Sequence, residues 1–461
     1  MWYNHHTGRQ IMLYRKIENK ITEWIRNGEK ALLIDGARQV GKTYIIRKTL
    51  KENHIDFIEF NLLDTSEIVA LLKKSNSVDE MITNLSLFAD KPFIKGKTVI
   101  FFDEIQEFKE LTTKIKFWVD EGSFRYVLSG SLLGIELKNL KSAPVGYLTT
   151  LTMYPMDFEE FLQIYNFTED LKQSLYNSFK NRLPVDDTVH DRMMQIFRTY
   201  LNVGGMPSAV DKFRKTKNLE NVIAEHKDIV LQYKKDFTRY ETEDKKPYLT
   251  QIYDLIPAEL NSNNKRFNYA VFKKGLYYER SEDNFIWLAK AGVALPTYNV
   301  SELSIPLLLN EKRSLFKLFL SDVGMLTSIY GKATKLQVLT DEQNINNGAL
   351  YENVVAQELK AHGFTLYYYN SKKFGELDFV VEYNGKIFPI EVKSGKGYNR
   401  HSALSNVMEV KNYAIDEAIV FTNYNVEVKN NVVYYPIYFL MFLQNEDVKL
   451  PTLDLDDLSK L

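Results

Sequence analysis

The chain has 461 residues, with 59 Lys and Arg against 60 Asp and Glu, and it contains no cysteine. This length exceeds what one compact core holds and predicts about three domains. The near-zero net charge means that any contact with nucleic acid depends on local patches. The lack of cysteine excludes disulfides, cysteine-based zinc sites and thiol catalysis. No signal-peptide pattern and no apolar run of about 18 residues occurs, which predicts a cytoplasmic protein without membrane contact.

The first part of the chain alternates strand-like and helical patterns. Residues 1–11 are predicted to be a polar extension, because the first periodic segment begins near Met12. From 12 to 190, amphipathic stretches separate the apolar runs KALLID, DFIEFNLL, TVIFFD, RYVLSGS and LTTLTMY. This alternation predicts a parallel sheet with crossover helices, which is an α/β fold.

The sequence GARQVGKT fits the phosphate-binding pattern G-x-x-x-x-G-K-[ST] and lies between the strand KALLID and the helix YIIRKTLKE. Backbone N–H groups of such a loop surround the phosphates of ATP. Lys42 is expected to reach the β- and γ-phosphates, and Thr43 to coordinate Mg²⁺. The alternative is a glycine-rich turn that only joins a strand to a helix. The residues predicted to contact ATP or ADP here are Gly36, Ala37, Arg38, Gln39, Val40, Gly41, Lys42 and Thr43.

Two further strand ends are predicted to complete the ATP site. In TVIFFDEIQ, Asp103 is expected to hold Mg²⁺ and Glu104 to polarise the attacking water, which predicts hydrolysis as well as binding. The next strand, RYVLSGS, places Ser129 and Ser131 at the same edge of the sheet. These serines are candidates for contact with the γ-phosphate or, alternatively, for capping the following helix.

Residues 191–335 are predicted to be helical with a winged-helix part. The stretches MMQIFRTYL, VIAEHKDIVLQYKKDF and YLTQIYDLI have helical apolar spacing. The segment 261–274, NSNNKRFNYAVFKK, carries four basic residues and no acidic one, and the run DNFIWLAKAGVALPTYNV after it has a helix-then-wing pattern. Contact with duplex DNA is one interpretation. A charged face of a protein-binding domain is the other.

Residues 345–445 return to a mixed pattern, and 446–461 form a predicted tail. The strands ELDFVVEY and KIFPIEVK are joined by Asn-Gly, which predicts a two-residue hairpin. Glu391 and Lys393 share one face of their strand, and the hairpin brings Asp378 alongside them. With Glu352 from the preceding helix, and Glu376 as an auxiliary acid, these carboxylates are a candidate Mg²⁺ or Mn²⁺ site. Lys393 is then the candidate catalytic cation. The alternative is a charged hairpin without chemistry.

The motifs GARQVGKT, FFDEIQ, VLSGSLLG, LTMYPMDFEEFL, YLNVGGMPSAV and KLFLSDVGML together resemble prokaryotic AAA-type ATPases of the archaeal-ATPase-like group. The resemblance implies a P-loop ATPase core, a helical and winged-helix middle, and a C-terminal domain similar to the PD-(D/E)xK (restriction-endonuclease-like) nuclease fold. One departure is Gly146-Tyr147, where relatives often carry Gly-Arg. No arginine finger is carried over, and Arg125 and Arg198 are candidates by residue type alone.

The sequence therefore leaves two main hypotheses. In the first, the nucleotide state of an AAA-type ATPase controls a nuclease-like module that acts on DNA. In the second, the chain is a nucleotide-dependent regulatory protein that binds a protein partner, and its C-terminal domain is inert. A third is an oligomeric remodelling machine that receives an arginine from a neighbouring copy, and the oligomeric state is left open.

Overall fold

The structure is a computed structural model that describes residues 13–108, 110–131, 146–239, 246–262, 265–267, 278–341 and 348–445. Its helices are α1 Ile17–Asn27, α2 Lys42–Glu52, α3 Ser66–Lys74, α4 Val78–Leu85, α5 Leu111–Glu121, α6 Phe158–Leu162, α7 Glu169–Asn181, α8 Asp187–Val203, α9 Pro207–Thr216, α10 Leu219–Arg239, α11 Lys246–Leu260, α12 Tyr278–Lys290, α13 Val323–Tyr330, α14 Lys332–Thr340, α15 Gly348–Ala361 and α16 Ser402–Met408. Its strands are β1 Ala31–Asp35, β2 Phe57–Asn61, β3 Val99–Asp103, β4 Arg125–Ser129, β5 Leu148–Thr152, β6 Ala294–Val300, β7 Glu311–Leu320, β8 Tyr367–Ser371, β9 Gly375–Tyr383, β10 Lys386–Lys393, β11 Ala418–Thr422, β12 Glu427–Lys429 and β13 Val432–Pro436.

The first sheet has the strand order β2-β3-β4-β1-β5, and its neighbouring strands are parallel. The predicted parallel α/β sheet is therefore confirmed. Alternate residues of β3 enter different cores: Val99 and Phe101 on one face, Ile100 and Phe102 on the other. Burial on both faces explains why β1 and β3 are almost wholly apolar. The strand order puts the carboxyl ends of β1, β3 and β4 at one edge, where ligands bind in such sheets.

The second sheet is mixed, with the order β12-β13-β11-β10-β9-β8-β6-β7. Strands β8, β9 and β10 are antiparallel neighbours, and β11 runs parallel to β10. The predicted hairpin joins β9 to β10: Asn384 and Gly385 both have positive φ, 50° and 71°, as a type I′ turn requires. Helix α15 precedes these strands, and α16 connects β10 to β11.

The run predicted as a helix followed by a wing, DNFIWLAKAGVALPTYNV, forms the end of α12 and strand β6, and β6 belongs to this second sheet. Strand β6 pairs with β7 on one side and runs parallel to β8 on the other, with Tyr298 opposite Tyr367. The winged-helix interpretation is therefore not confirmed. The sheet also crosses the predicted boundary between 335 and 345, and the domain limits stay a prediction.

One apolar core extends from the first sheet through helices α8, α10 and α13 to the second sheet. No helix in the described ranges is long and apolar enough to cross a bilayer. The predicted extension 1–11, the tail 446–461 and most of the basic segment 261–274 lie outside the described residues.

Candidate functional site

The predicted phosphate-binding loop, residues 36–43, leaves the carboxyl end of β1 and enters the 11-residue helix α2. Gly36 and Gly41 have φ of 135° and 94°, a conformation that side chains disfavour. A Cβ at Gly36 would also collide with the carbonyl oxygen of Met153. The two glycines therefore allow the backbone to curl around a small space at the helix N-terminus, where backbone N–H groups and the helix dipole attract anions.

Lys42 points into this loop. Its Nζ donates hydrogen bonds to the carbonyl oxygens of Gly36, at 2.9 Å, and Ala37, at 2.8 Å. Burial lowers the pKa of Lys42 to about 8, although the charges of Glu104 and Asp103 act in the opposite direction. A phosphate group would supply the anionic partner that favours the charged ammonium.

The predicted magnesium anchors meet across the sheet edge. The Thr43 hydroxyl donates to Oδ2 of Asp103 at 2.9 Å, and the Ser129 hydroxyl donates to Oδ1. Ser129 is fully buried, so it fixes the orientation of the Asp103 carboxylate. Ser131 is also buried, and the segment that follows it lies outside the described residues. A hydroxyl and a carboxylate from two elements form a ligand set that suits Mg²⁺.

Glu104 lies directly after this anchor. Its φ of 56° is unusual for a residue with a side chain, and its carboxylate accepts a hydrogen bond from the Gln106 amide. Its charge acts on Lys42. The structure thus brings together Lys42, Thr43, Asp103, Glu104 and Ser129.

The two arginines considered as finger residues make contacts within the chain. Arg125 donates to the carbonyl oxygens of Trp24 and Ile25, and its guanidinium lies 4.2 Å from the centre of the Trp24 ring. Arg198 pairs with Asp341 at 2.7 Å. These contacts indicate structural roles, and neither arginine is assigned as a finger.

Helix α10 contacts the loop, a feature that sequence reasoning missed. The Tyr233 hydroxyl donates to the carbonyl oxygen of Arg38 at 3.2 Å. The Arg38 side chain pairs with Asp236, and the Gln39 amide donates to Gln232. Helical periodicity showed that α10 has a buried stripe but could not identify what it packs against.

Arg15, which precedes α1, was also missed. Its guanidinium donates to the carbonyl oxygens of Val40, at 2.9 Å, and Tyr154, at 2.6 Å, and it pairs with Glu160 at 3.0 Å. It also borders a cavity of 270 Å³ at the end of the phosphate-binding loop. Other residues that line this cavity include Leu13, Gly41, Tyr44, Met153 and Pro207.

The predicted C-terminal residues also converge. The Asp378 carboxylate accepts a hydrogen bond from the Val392 N–H at 2.9 Å, and Lys393 pairs with Glu391 at 2.6 Å. Burial, reinforced by the charge of Asp378, raises the pKa of Glu391 to about 8 and also raises the pKa of Glu352. Helix α15 and strands β9 and β10 therefore bring three carboxylates to one place, as the sequence predicted.

Two lysines outside the predicted set complete this cluster. Lys317 of β7 is fully buried, and its Nζ lies 2.7 Å from Glu376 and 3.6 Å from Glu352. Lys265 also pairs with Glu352. Within the described ranges, no group of three or more His, Asp or Glu residues is arranged to hold a metal ion. The Mg²⁺ or Mn²⁺ site predicted from Glu352, Asp378 and Glu391 is therefore not supported.

Three family models match separate parts of the chain. Residues 28–162 match a family described as an AAA domain. Residues 194–336 and 347–440 match two domains of unknown function, DUF8612 and DUF4143. The predicted AAA domain is thus confirmed, whereas the nuclease-like C-terminal domain is not. A comparison with curated proteins gave no match.

Several solved structures are similar to this chain at low identity. The Walker-type ATPase PABY2304 of Pyrococcus abyssi is 16% identical, covers 70% of this chain and 97% of its own, and has a TM-score of 0.42. The Thermotoga maritima RuvB Holliday junction branch migration motor is 13% identical, with coverage of 60% and 87% and a TM-score of 0.28. Cdc6p from Pyrobaculum aerophilum is 11% identical, with coverage of 72% and 97% and a TM-score of 0.24. These TM-scores lie below 0.5 and do not define the arrangement of the whole chain.

Proposed function

We propose that this chain is a Mg²⁺-dependent ATPase of the AAA type whose nucleotide state controls its C-terminal module. The observation that carries the proposal is the contact of Thr43 and Ser129 with the two oxygens of Asp103, beside a loop that already holds Lys42. The AAA-domain match over 28–162 supports it independently.

Each residue of the site has a separate role in hydrolysis. Lys42 exchanges its two carbonyl partners for oxygens of the β- and γ-phosphates. Thr43 and Asp103 would hold Mg²⁺, which neutralises charge on those phosphates when bound. Glu104 orients the attacking water and accepts its proton. The cavity beside Gly41 and Tyr44 is the proposed place for the adenine ring, because it adjoins the end of the loop.

Two sets of contacts support control of the C-terminal module by the nucleotide. One is α10, whose Tyr233 and Asp236 hold Arg38 of the loop. The other starts at Arg15, which bridges the Val40 carbonyl to Glu160. A change in the loop when phosphate binds would alter both sets.

The second set continues into the C-terminal part. Glu160 accepts from the backbone N–H of Lys16, whose Nζ pairs with Asp157 at 2.7 Å. His362, just after α15, lies 3.5 Å from Asp157. Glu358 of α15 accepts a hydrogen bond from the Phe158 N–H at 3.0 Å. Glu352 of the C-terminal cluster lies on the same helix, six residues before Glu358. This separation is about 9 Å at a rise of 1.5 Å per residue.

The C-terminal module has two candidate roles. A metal-dependent nuclease acting on DNA is suggested by the α15-β8-β9-β10-α16-β11 order and by Lys393 beside Asp378 and Glu391, although the acids described there are not arranged to hold a metal ion. A binding module for nucleic acid or a protein partner is supported by the lysines that already neutralise the acids. The second observation favours binding.

The direct test is steady-state phosphate release with Mg²⁺ and ATP, compared between wild type and Lys42→Ala. We expect wild-type turnover, and loss of both nucleotide affinity and turnover in the variant, because one charged partner of the phosphates is removed. Lys48→Ala, which alters another lysine of α2, is the control. Equal turnover in wild type and Lys42→Ala would refute the proposal.

A further inference from the structure

Lys317 is an unusual residue for its position. It lies in β7 between the buried residues Phe316 and Leu318, and its own side chain is fully buried. Strand pairing fixes its place, since Lys317 is opposite Thr297 of β6. Its Nζ lies 5.0 Å from the centre of the Tyr368 ring. An ammonium in such surroundings is stable only when it is paired with anions.

The partners of Lys317 are the acids of the C-terminal cluster. It pairs with Glu376 of β9 at 2.7 Å and with Glu352 of α15 at 3.6 Å, and the charge of Asp378 also acts on it. Its position between acids from different elements is the position that a cation must take to hold such a cluster together. Oxygen ligands from several elements are also what a divalent ion requires.

The charges of the cluster nearly balance without a metal. Four carboxylates, those of Glu352, Glu376, Asp378 and Glu391, face three ammonium groups, those of Lys265, Lys317 and Lys393. With all four acids ionised the sum is 4 negative and 3 positive charges, a net charge of −1, and protonation of Glu391, whose pKa burial raises to about 8, makes it zero. A divalent ion would bring the net charge to +1 or above and would be repelled by the lysines already present. The residues therefore do not fit a divalent metal.

We propose that Lys317 is a built-in cation that takes the place of a divalent metal in the C-terminal cluster. The module keeps its acids together without metal and acts by binding. This inference rests on the proposed function in which the C-terminal module binds a partner, and it is independent of the ATPase activity. ATP turnover, measured alongside, separates a failure of one proposal from a failure of the other.

The test is Lys317→Met in the full chain. The variant leaves four carboxylates facing two lysines, a net charge of −2 that a divalent ion can neutralise. We expect a lower Tm without metal and a rise in Tm of at least about 3 °C with saturating Mn²⁺. Wild type, stripped of metal and nucleotide, should show no such rise. ATP turnover should be unchanged by Lys317→Met.

Two further variants keep the test decisive. Lys317→Met with Asp378→Asn should lose the Mn²⁺ response, which assigns the response to this cluster instead of the phosphate-binding loop. If Lys317→Met alone does not fold, Lys317→Met with Glu376→Gln restores the net charge of −1 and should fold without responding to Mn²⁺. Stoichiometric Mn²⁺ binding by wild type that Asp378→Asn abolishes, or Mn²⁺-dependent cleavage of DNA by wild type, would overturn the proposal.

Discussion

At the scale of single residues, the proposed ATP site depends on side chains that orient one another. Asp103 is 4% exposed and has a hydroxyl on each carboxylate oxygen, from Thr43 and Ser129. Two hydrogen bonds restrict the rotation of this carboxylate before any ion arrives. Such preorganisation would lower the cost of assembling the proposed site around ATP and Mg²⁺.

Glu104→Gln should separate ATP binding from hydrolysis. The amide keeps the size of the side chain and its contact with Gln106 but cannot accept a proton from water. We expect near wild-type ATP affinity and a fall in kcat of about 100-fold or more. Fluorescent-nucleotide titration and phosphate release measure the two quantities.

Glu110→Gln is the matched control for this substitution. Glu110 is an exposed acid a few residues after Glu104 in the sequence, and it pairs only weakly with Lys73, at 3.8 Å. The Glu110→Gln variant should have the ATP affinity and the kcat of wild type. A Glu104→Gln protein that hydrolyses ATP at the wild-type rate would remove Glu104 from the mechanism.

At the scale of elements, α10 joins the loop to the middle of the chain. Near its centre, His226 accepts a hydrogen bond from the Ser328 hydroxyl of α13 at 2.7 Å and donates to the Val203 carbonyl of α8 at 3.1 Å. This pairing uses the neutral imidazole. Burial, helped by the charge of Lys335, lowers the pKa of His226 to about 3.

The buried imidazole predicts an acid-sensitive contribution to stability. The unfolded chain binds a proton near pH 6.5 and the folded chain does not, so stability is fully present above pH 6.5 and falls as pH decreases towards 3. At pH 5 the loss from this group is about 2 kcal/mol. Denaturant unfolding at pH 7.5 and pH 5.0 measures it.

His226→Gln isolates this effect from other groups. Asp322, whose pKa burial raises to about 6, acts in the opposite direction, so wild type alone does not report on His226. The variant should lose less stability between the two pH values than wild type, whereas exposed His54→Gln should behave as wild type. Identical pH dependence in all three proteins would contradict the assignment.

Helices and strands could be predicted from the sequence where their pattern is local, but the elements that pair with them could not. The continuous apolar run in TVIFFD and the Asn-Gly turn identify a buried strand and a hairpin, because each depends on a few consecutive residues. The predicted wing pattern, which ends in β6, is equally local, but pairing of β6 with β8 depends on residues far along the chain. Lys317 offered one overlooked signal: a lone charge within the apolar strand SLFKLFL indicates a buried ion pair.

At the scale of the whole molecule, the N-terminus of α6 is the junction between the two sheets. Asp157 caps this helix through the Glu160 N–H at 2.9 Å. The same residue pairs with Lys16 on the ATPase side and lies near His362 on the other. Asp157 is buried, and burial of a charge is stable only while such partners are kept.

Asp157→Asn should therefore weaken communication between ATP and the C-terminal module. Asparagine retains the cap but loses the charge that Lys16 and His362 face. In wild type we expect ATP with Mg²⁺ to change hydrogen exchange in α15, which contains Glu358, as well as in the phosphate-binding loop. In the variant the change in the loop should persist and the change in α15 should decrease at least about threefold.

The matched control is Glu417→Gln, which removes another ion pair between distant parts of the chain. Glu417 pairs with Arg182, the residue after α7, at 2.7 Å, and the two side chains are 26% and 46% exposed, so solvent screens this bridge and it contributes little. Its exchange response to ATP should equal that of wild type. An α15 response that survives Asp157→Asn unchanged would show that control, if ATP exerts it, passes through α10 and its contact with Arg38 instead.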